Sequence, residues 1–211
     1  PDWQNKINRD ALALYMRHNY ITAPYTIYQD IRKLTPGTIL HIPYSTRPGE
    51  LPVSEPYWRM KNVAESGNNS TDLSDEEAIN GLDQLLRESI RNQMISDVPL
   101  GAFLSGGYDS SAVVALMQEE SDQRIKTFSI GFNEEAYNEA DHAKRVASHL
   151  GTEHTDLYVT PEQAMDVIPR LPSLYDEPFS DASQIPTFQV YEMTQKSVTV
   201  ALSGDGGDEI F

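Results

Sequence analysis

An apolar run that stops at a serine and a pair of glycines, then resumes as a helix former, admits few folds. Here it reads Val98-Pro-Leu-Gly-Ala-Phe-Leu104, then Ser105-Gly-Gly-Tyr-Asp-Ser110, then Ser111-Ala-Val-Val-Ala-Leu-Met117. The first part suits a buried strand and the last a helix starting near Asp109. Such a strand–turn–helix corner aims several backbone N–H groups at one place, at the positive end of a helix dipole, where an anion can be held. Gly106 and Gly107 let the backbone approach a ligand and take φ > 0. Ser105 and Ser110 add hydroxyl donors, and Asp109 adds a carboxylate suited to Mg2+. The loop has no Gly-Lys-Ser/Thr, so no lysine reaches terminal phosphates, and it is too short to wrap a triphosphate. It fits a single phosphate or a departing pyrophosphate. By itself the string also reads as an ordinary glycine turn.

The flanking sequence narrows the choice. Strand-like and helix-like runs alternate: strand Leu100–Leu104, helix Ser110–Glu120, strand Lys126–Gly131, helix Asn138–Leu150 and strand Thr155–Val159. A helix capped by Thr160 with Pro161 in its first turn comes next, then a helix over Ser183–Gln195 and a strand over Val198–Leu202. Alternation predicts an α/β fold, a parallel doubly wound sheet with helices on both faces. Ligands bind such sheets beyond the carboxyl ends of the strands, where strand order reverses. Val200-Ala-Leu-Ser-Gly-Asp-Gly-Gly-Asp-Glu209 repeats the design of the first corner. Two corners at the ends of two parallel strands would face one crevice, with Asp109 and Asp208 holding Mg2+ from opposite sides. A solvated acidic turn is the bland alternative for the second run, but two coincident turns are harder to dismiss.

Upstream, Ser74 and Glu77 form a capping-box pattern, and Leu73 can staple to Ala78. Ile79, Leu82, Leu85, Leu86, Ile90 and Met94 then recur at helical spacing. The stretch before this helix, residues 59–72, is polar and reads as an interdomain linker. Residues 1–58 hold a short amphipathic helix near Arg9–Tyr20 and two strands, Thr38–Ile42 and Val53–Trp58, around a Pro36-Gly37 turn. They bury too little to stand alone and read as the tail of a domain, with 73–211 as a second domain. Starting at Pro1 and ending at Phe211, the chain is expected to be a piece of a longer protein.

Carboxylates outnumber Lys and Arg by 32 to 16, a formal charge of −16, with no basic cluster, so no nucleic-acid partner is expected. The chain has no cysteine, which excludes disulfides, thiolate zinc sites and cysteine nucleophiles within it. No apolar run approaches the roughly 18 residues of a membrane span, so no membrane partner is expected and a cytoplasmic location is the default. The histidines show no ligand spacing; His142 and His149, on one predicted helix, read as partly exposed.

Ser105-Gly-Gly-Tyr-Asp-Ser110 resembles the pyrophosphate loop of N-type ATP pyrophosphatases. Together with Leu202-Ser-Gly-Asp-Gly-Gly-Asp-Glu209 and Thr127-Phe-Ser-Ile-Gly-Phe132, it closely resembles the glutamine-dependent asparagine synthetases. Thr26-Ile-Tyr-Gln-Asp-Ile-Arg-Lys-Leu-Thr-Pro-Gly-Thr38 is similar to the closing segment of that family's glutaminase domain. The resemblance implies an adenine nucleotide alpha hydrolase-like sheet preceded by a fragment of an Ntn-type glutaminase domain. It also implies ATP and Mg2+, aspartate as the acceptor and ammonia from glutamine. The implied reaction activates a carboxylate as an acyl-adenylate with release of pyrophosphate, and ammonia then displaces AMP. Leu104 and Ile130 would line the adenine and ribose pocket, with Ser203 and Gly204 also on the nucleotide. Ser105, Gly106, Gly107 and Ser110 would hold pyrophosphate, and Asp109 and Asp208 would ligate Mg2+.

Asp205 stands where the family commonly has a glutamate thought to deprotonate ammonia. It is one methylene shorter, and a turn carboxylate supporting its glycines is an equal reading. Tyr175-Asp-Glu-Pro-Phe-Ser-Asp-Ala-Ser-Gln-Ile-Pro186 either shapes the acceptor pocket, as its place in the family implies, or solvates a loop and caps the next helix. Lacking the N-terminal cysteine nucleophile, the piece is expected not to hydrolyse glutamine. It also lacks the family's helical C-terminal part, so it is expected to synthesise weakly or not at all; its partners would be the rest of the parent chain, with a homodimer left open. Two alternatives stay in view: an amidotransferase of this family acting on a sugar uronic acid or a β-lactam precursor, and a non-catalytic nucleotide-binding domain.

Overall fold

Asn8 opens the first helix, α1 (Arg9–His18): its side-chain oxygen accepts from the N–H groups of Asp10 (3.1 Å) and Ala11 (3.2 Å). Asn19 closes α1 in the left-handed conformation (φ 66°), its N–H bonded to the Tyr15 carbonyl. The computed structural model describes residues 4–67, 73–132 and 139–207. They divide into two units, Pro1–Ser74 with Leu171–Asp181, and Asp75–Arg170 with Ala182–Phe211.

In the first unit Ala11 of α1 packs with Ile21 and Ile27 into a small core flanked by Tyr15 and Tyr28. Strands β1 (Thr38–Leu40) and β2 (Ser54–Pro56) pair antiparallel. Gly37 has φ +69° before β1, and its carbonyl accepts the N–H groups of Tyr57 and Trp58; a Cβ at this glycine would strike the Trp58 carbonyl. Helix α2 (Met60–Gly67) lies within the stretch that reads from sequence as a linker and buries none of its residues. Its apolar residues, Met60, Val63 and Ala64, span little more than one turn, too short a run for periodicity to mark a helix.

The second unit begins with α3 (Asp75–Gln93). Four parallel strands lie beyond it, interspersed with helices: β3 (Leu100–Phe103), α4 (Tyr108–Glu119), β4 (Lys126–Phe132), α5 (Ala140–Leu150) and β5 (Glu153–Val159). Helix α6 (Pro161–Met165) starts on a capping box between Thr160 and Gln163, with Pro161 in its first turn. A 3-10 turn (Ile168–Arg170) and α7 (Leu171–Leu174) lead towards α8 (Gln184–Thr194) and β6 (Val200–Leu202). The sheet order is β5-β4-β3-β6, every neighbouring pair parallel. Ala102 and Leu104 pack into the main core with Ile90, Val114, Met117 and Ala143. Because side chains alternate along a strand, Phe103 faces the other way, and its ring stacks on Tyr191 of α8 at 5.0 Å. Helices α4 and α5 therefore cover one face of the sheet and α8 the other. The apolar stripe of α3 is covered only towards its end: Ile90 is buried, whereas Ile79, Leu82 and Leu85 are exposed.

Candidate functional site

Strands β3 and β6 are neighbours, and chain order reverses between them, since β4 and β5 extend the sheet only on the other side of β3. Beyond their carboxyl ends lies a cavity of about 360 Å3. The first corner lines it with Phe103, Ser105, Gly107, Tyr108, Asp109 and Ser110, and the second with Ser203, Gly204 and Asp205.

Gly107 precedes α4 and has no side chain to cap it. The first intrahelical bond runs from the Ser111 N–H to the Gly107 carbonyl (3.1 Å), so the amides of Tyr108, Asp109 and Ser110 have no acceptor within the helix. Ser110, only 9% exposed, braces the turn from inside. Its Oγ accepts the Ser105 N–H (3.2 Å), lies 2.8 Å from Ser105 Oγ and donates to the Gly107 carbonyl (3.4 Å). Ser105 Oγ in turn accepts the Gly107 N–H (3.3 Å). Both hydroxyls are thus engaged in holding the loop open, and the main-chain amides at the start of α4 are the principal anion donors. Gly106 (φ +85°) stands behind the cavity; a Cβ there would sit 2.8 Å from His142 Cβ and from the Ala143 nitrogen of α5.

Among its described residues, which end at Gly207, the second corner is held by fewer bonds of its own. Ser203 Oγ accepts the Asp205 N–H (2.9 Å), and the Gly207 N–H donates to the Gly204 carbonyl (3.2 Å). Its shape depends on lying against the first turn of α4. A Cβ at Gly204 would come within 2.8 Å of the Ser110 nitrogen, and one at Gly207 would collide with the Asp109 carboxylate. Among the described residues the lining includes two carboxylates, Asp109 and Asp205, and no lysine, arginine or histidine. A polyphosphate here would meet amide dipoles but no side-chain cation from these residues, and a bound metal would balance its charge. Among the described residues no three His, Cys, Asp or Glu side chains gather to hold one alone. Asp109 nevertheless fits Mg2+, which is commonly bound by one or two carboxylates and completed by water and phosphate oxygens.

The family model described as asparagine synthase matches residues 81–211, which include both corners. The chain belongs to the asparagine synthase family. A protein of Methanocaldococcus jannaschii provisionally named asparagine synthetase [glutamine-hydrolysing] 2 is 39% identical over 99% of this chain. Asparagine synthetase [glutamine-hydrolysing] 1 of Bacillus subtilis is 32% identical over 98% of it. The chain spans 39% of the first relative and 31% of the second. Among solved structures, the NH3-dependent NAD synthetase of Campylobacter jejuni aligns with a TM-score of 0.42 and 12% identity, covering 60% of this chain and 56% of that one.

Of the residues singled out from sequence in this asparagine synthase region, Ser105, Gly107, Asp109, Ser110, Ser203, Gly204 and Asp205 come together at the cavity. Leu104 and Ile130 do not line it: the Leu104 side chain is 1% exposed within the core, and Ile130 is half-buried in β4 opposite Leu157. Asp208 lies outside the described residues. Sequence reading passes over Phe103 as a lining residue, although strand alternation alone sets it opposite Ala102 and Leu104. Tyr108, almost wholly exposed at the rim, is visible in the sequence only as part of the loop motif. The Tyr175–Pro186 stretch divides: residues up to Asp181 belong to the first unit, and from Gln184 it is α8, which Ser183 precedes without a side-chain cap bond. Among the described residues no helix is long and apolar enough to cross a membrane.

Proposed function

We propose that the chain carries the carboxylate-activating centre of an ATP-dependent, amide-forming ligase of the ATP-pyrophosphatase type, with aspartate as acceptor and asparagine as product. Residues 73–211 would be the synthetase domain, 59–72 the connection and 1–58 the tail of a glutaminase domain that supplies ammonia. The observation that carries this reading is the contact between the two corners: Gly204 lies against the Ser110 amide and Gly207 against the Asp109 carboxylate, at the switch point of a parallel sheet.

Bound there, the pyrophosphate end of ATP would accept hydrogen bonds from the amides that open α4. Asp109, with Asp208, would hold Mg2+, which supplies positive charge where the leaving group becomes negative. The side-chain carboxylate of aspartate forms a bond to the α-phosphorus as the bond to pyrophosphate breaks. Ammonia then forms the C–N bond as AMP leaves, and a proton is lost. Asp205, exposed on the cavity wall, is the nearby carboxylate able to accept that proton. The absence of a lysine from the loop speaks against transfer of a terminal phosphoryl group.

The test is pyrophosphate release with Mg-ATP, ammonium and a choice of carboxylates, alongside binding of Mg-ATP. Release stimulated by aspartate and not by uronic acids supports the reading. Release with a sugar acid or a β-lactam precursor instead would move the acceptor while leaving the chemistry intact. Mg-ATP binding without release for any acceptor would favour a plain nucleotide-binding domain, and binding indifferent to Asp109→Ala would overturn the site itself.

A further inference from the structure

Between Arg170 and Ala182 the chain leaves the sheet unit, packs with residues of the N-terminal unit and then returns. The excursion is fixed by charge. One carboxylate oxygen of Glu177 accepts the Ile27 N–H (3.1 Å), and the other forms an ion pair with Lys33. The Lys33 ammonium also donates to the Ile21 carbonyl (2.5 Å), so it is anchored on both sides. The Glu177 side chain is only 19% exposed and that of Lys33 34%, which lifts the pair out of the class of freely solvated surface ion pairs. A second tie comes three residues later, where the Ser180 N–H donates to the Asn19 carbonyl (2.9 Å) at the left-handed cap of α1. Tyr175 and Phe179 bracket this loop with their rings 5.6 Å apart.

The excursion ends shortly before α8 along the chain. Helix α8 starts at Gln184, shortly beyond Ser180, and its Tyr191 stacks on Phe103, a wall of that cavity. We infer that Leu171–Asp181 is a strap whose fastening steadies α8, with Glu177 as its positioning residue. A continuous path then runs from Lys33 through Glu177 and α8 to Phe103, each step a hydrogen bond, a stretch of main chain or a ring contact. Its consequence for catalysis rests on the proposed nucleotide site, but its existence does not, and the test needs no nucleotide.

Hydrogen exchange on the whole chain tests it. Glu177→Gln keeps the shape and removes the charge; Lys33→Met removes the cation while leaving the Ile27 bond in place. Both variants are expected to speed amide exchange in residues 19–33 and also in 184–191, about tenfold for Glu177→Gln and less for Lys33→Met, as local opening becomes easier. The exchanged pair Lys33→Glu with Glu177→Lys is expected to recover part of the protection in both segments. Faster exchange confined to 19–33, with α8 unchanged in both variants, would reduce Glu177 to a local staple and overturn the strap. Unchanged exchange in both segments would overturn it too.

Discussion

The two glycine-rich corners look alike in sequence and are built differently. The first is self-supporting: Ser110 ties Ser105 and Gly107 together, a helix continues from it, and α5 closes behind Gly106. The second, among its described residues, has two bonds of its own and rests on the first. The first is therefore a cradle that exists before a ligand arrives, and the second a wall whose position depends on glycines with no room for a side chain. Repetition of a motif need not mean repetition of a role.

The contrast can be broken at Asp109, which belongs to the cradle and whose carboxylate lies against Gly207 of the wall. Asp109→Ala is expected to weaken Mg-ATP binding by about 100-fold, the scale of a lost charge-assisted partner, in an isothermal titration. Gly204→Ala tests the wall: overpacking against the Ser110 nitrogen should cost about 1–3 kcal/mol and lower affinity by about tenfold or more, read in the same titration. Gly206→Ala is its control, since φ +87° strains the backbone but the added carbon meets nothing, so about 1–2 kcal/mol of stability should go with a smaller loss of affinity. The serines probe self-support. Ser110→Ala leaves the Ser105 amide without its acceptor and should cost about 1–2 kcal/mol in a denaturant melt, whereas Ser203→Ala, whose partner Asp205 is exposed, should cost about 0.5 kcal/mol. Equal costs would mean that the corners are built alike after all.

The smallest effect is that of pH, and it should not distinguish the corners. His154 on β5 meets Thr127 Oγ1 through Nδ1 (3.0 Å) and Ser129 Oγ through Nε2 (3.2 Å), both on β4. Burial pushes its pKa down, Asp156 opposes that shift and Lys144 adds to it. As pH falls below about 6.5 the unfolded chain takes up a proton that the folded imidazole resists, so stability should decline through that range and His154→Gln should flatten the decline. A thermal melt between pH 7 and pH 5 reads it.

Much of this frame is legible in the sequence because its signals are local. The Thr160 cap with Pro161 after it, the alternation of strands with helices and the paired glycine turns each depend on neighbours in sequence. What the sequence leaves out shares a different cause. Ile79, Leu82 and Leu85 recur at helical spacing, yet periodicity marks an apolar face without saying whether anything covers it. The place of Leu104 next to the loop does not reveal which way its side chain turns, and it turns into the core. Glu177 sits in an acidic stretch with nothing nearby in sequence to show that its partners are Lys33 and Ile27. Met60–Gly67 is helical without burying a residue, and its apolar positions, Met60, Val63 and Ala64, span little more than one turn.

The strand order has a consequence for how the protein comes into being. Leu100 lies beside Val200, and all the other strands of the sheet are made in between. A ribosome therefore releases the cradle early and the wall late, and the cavity cannot close until β6 has found β3 over that long separation. Nucleotide captured by a growing chain would date that moment: arrested chains ending before Leu202 should hold none, whatever the state of the loop at Ser105.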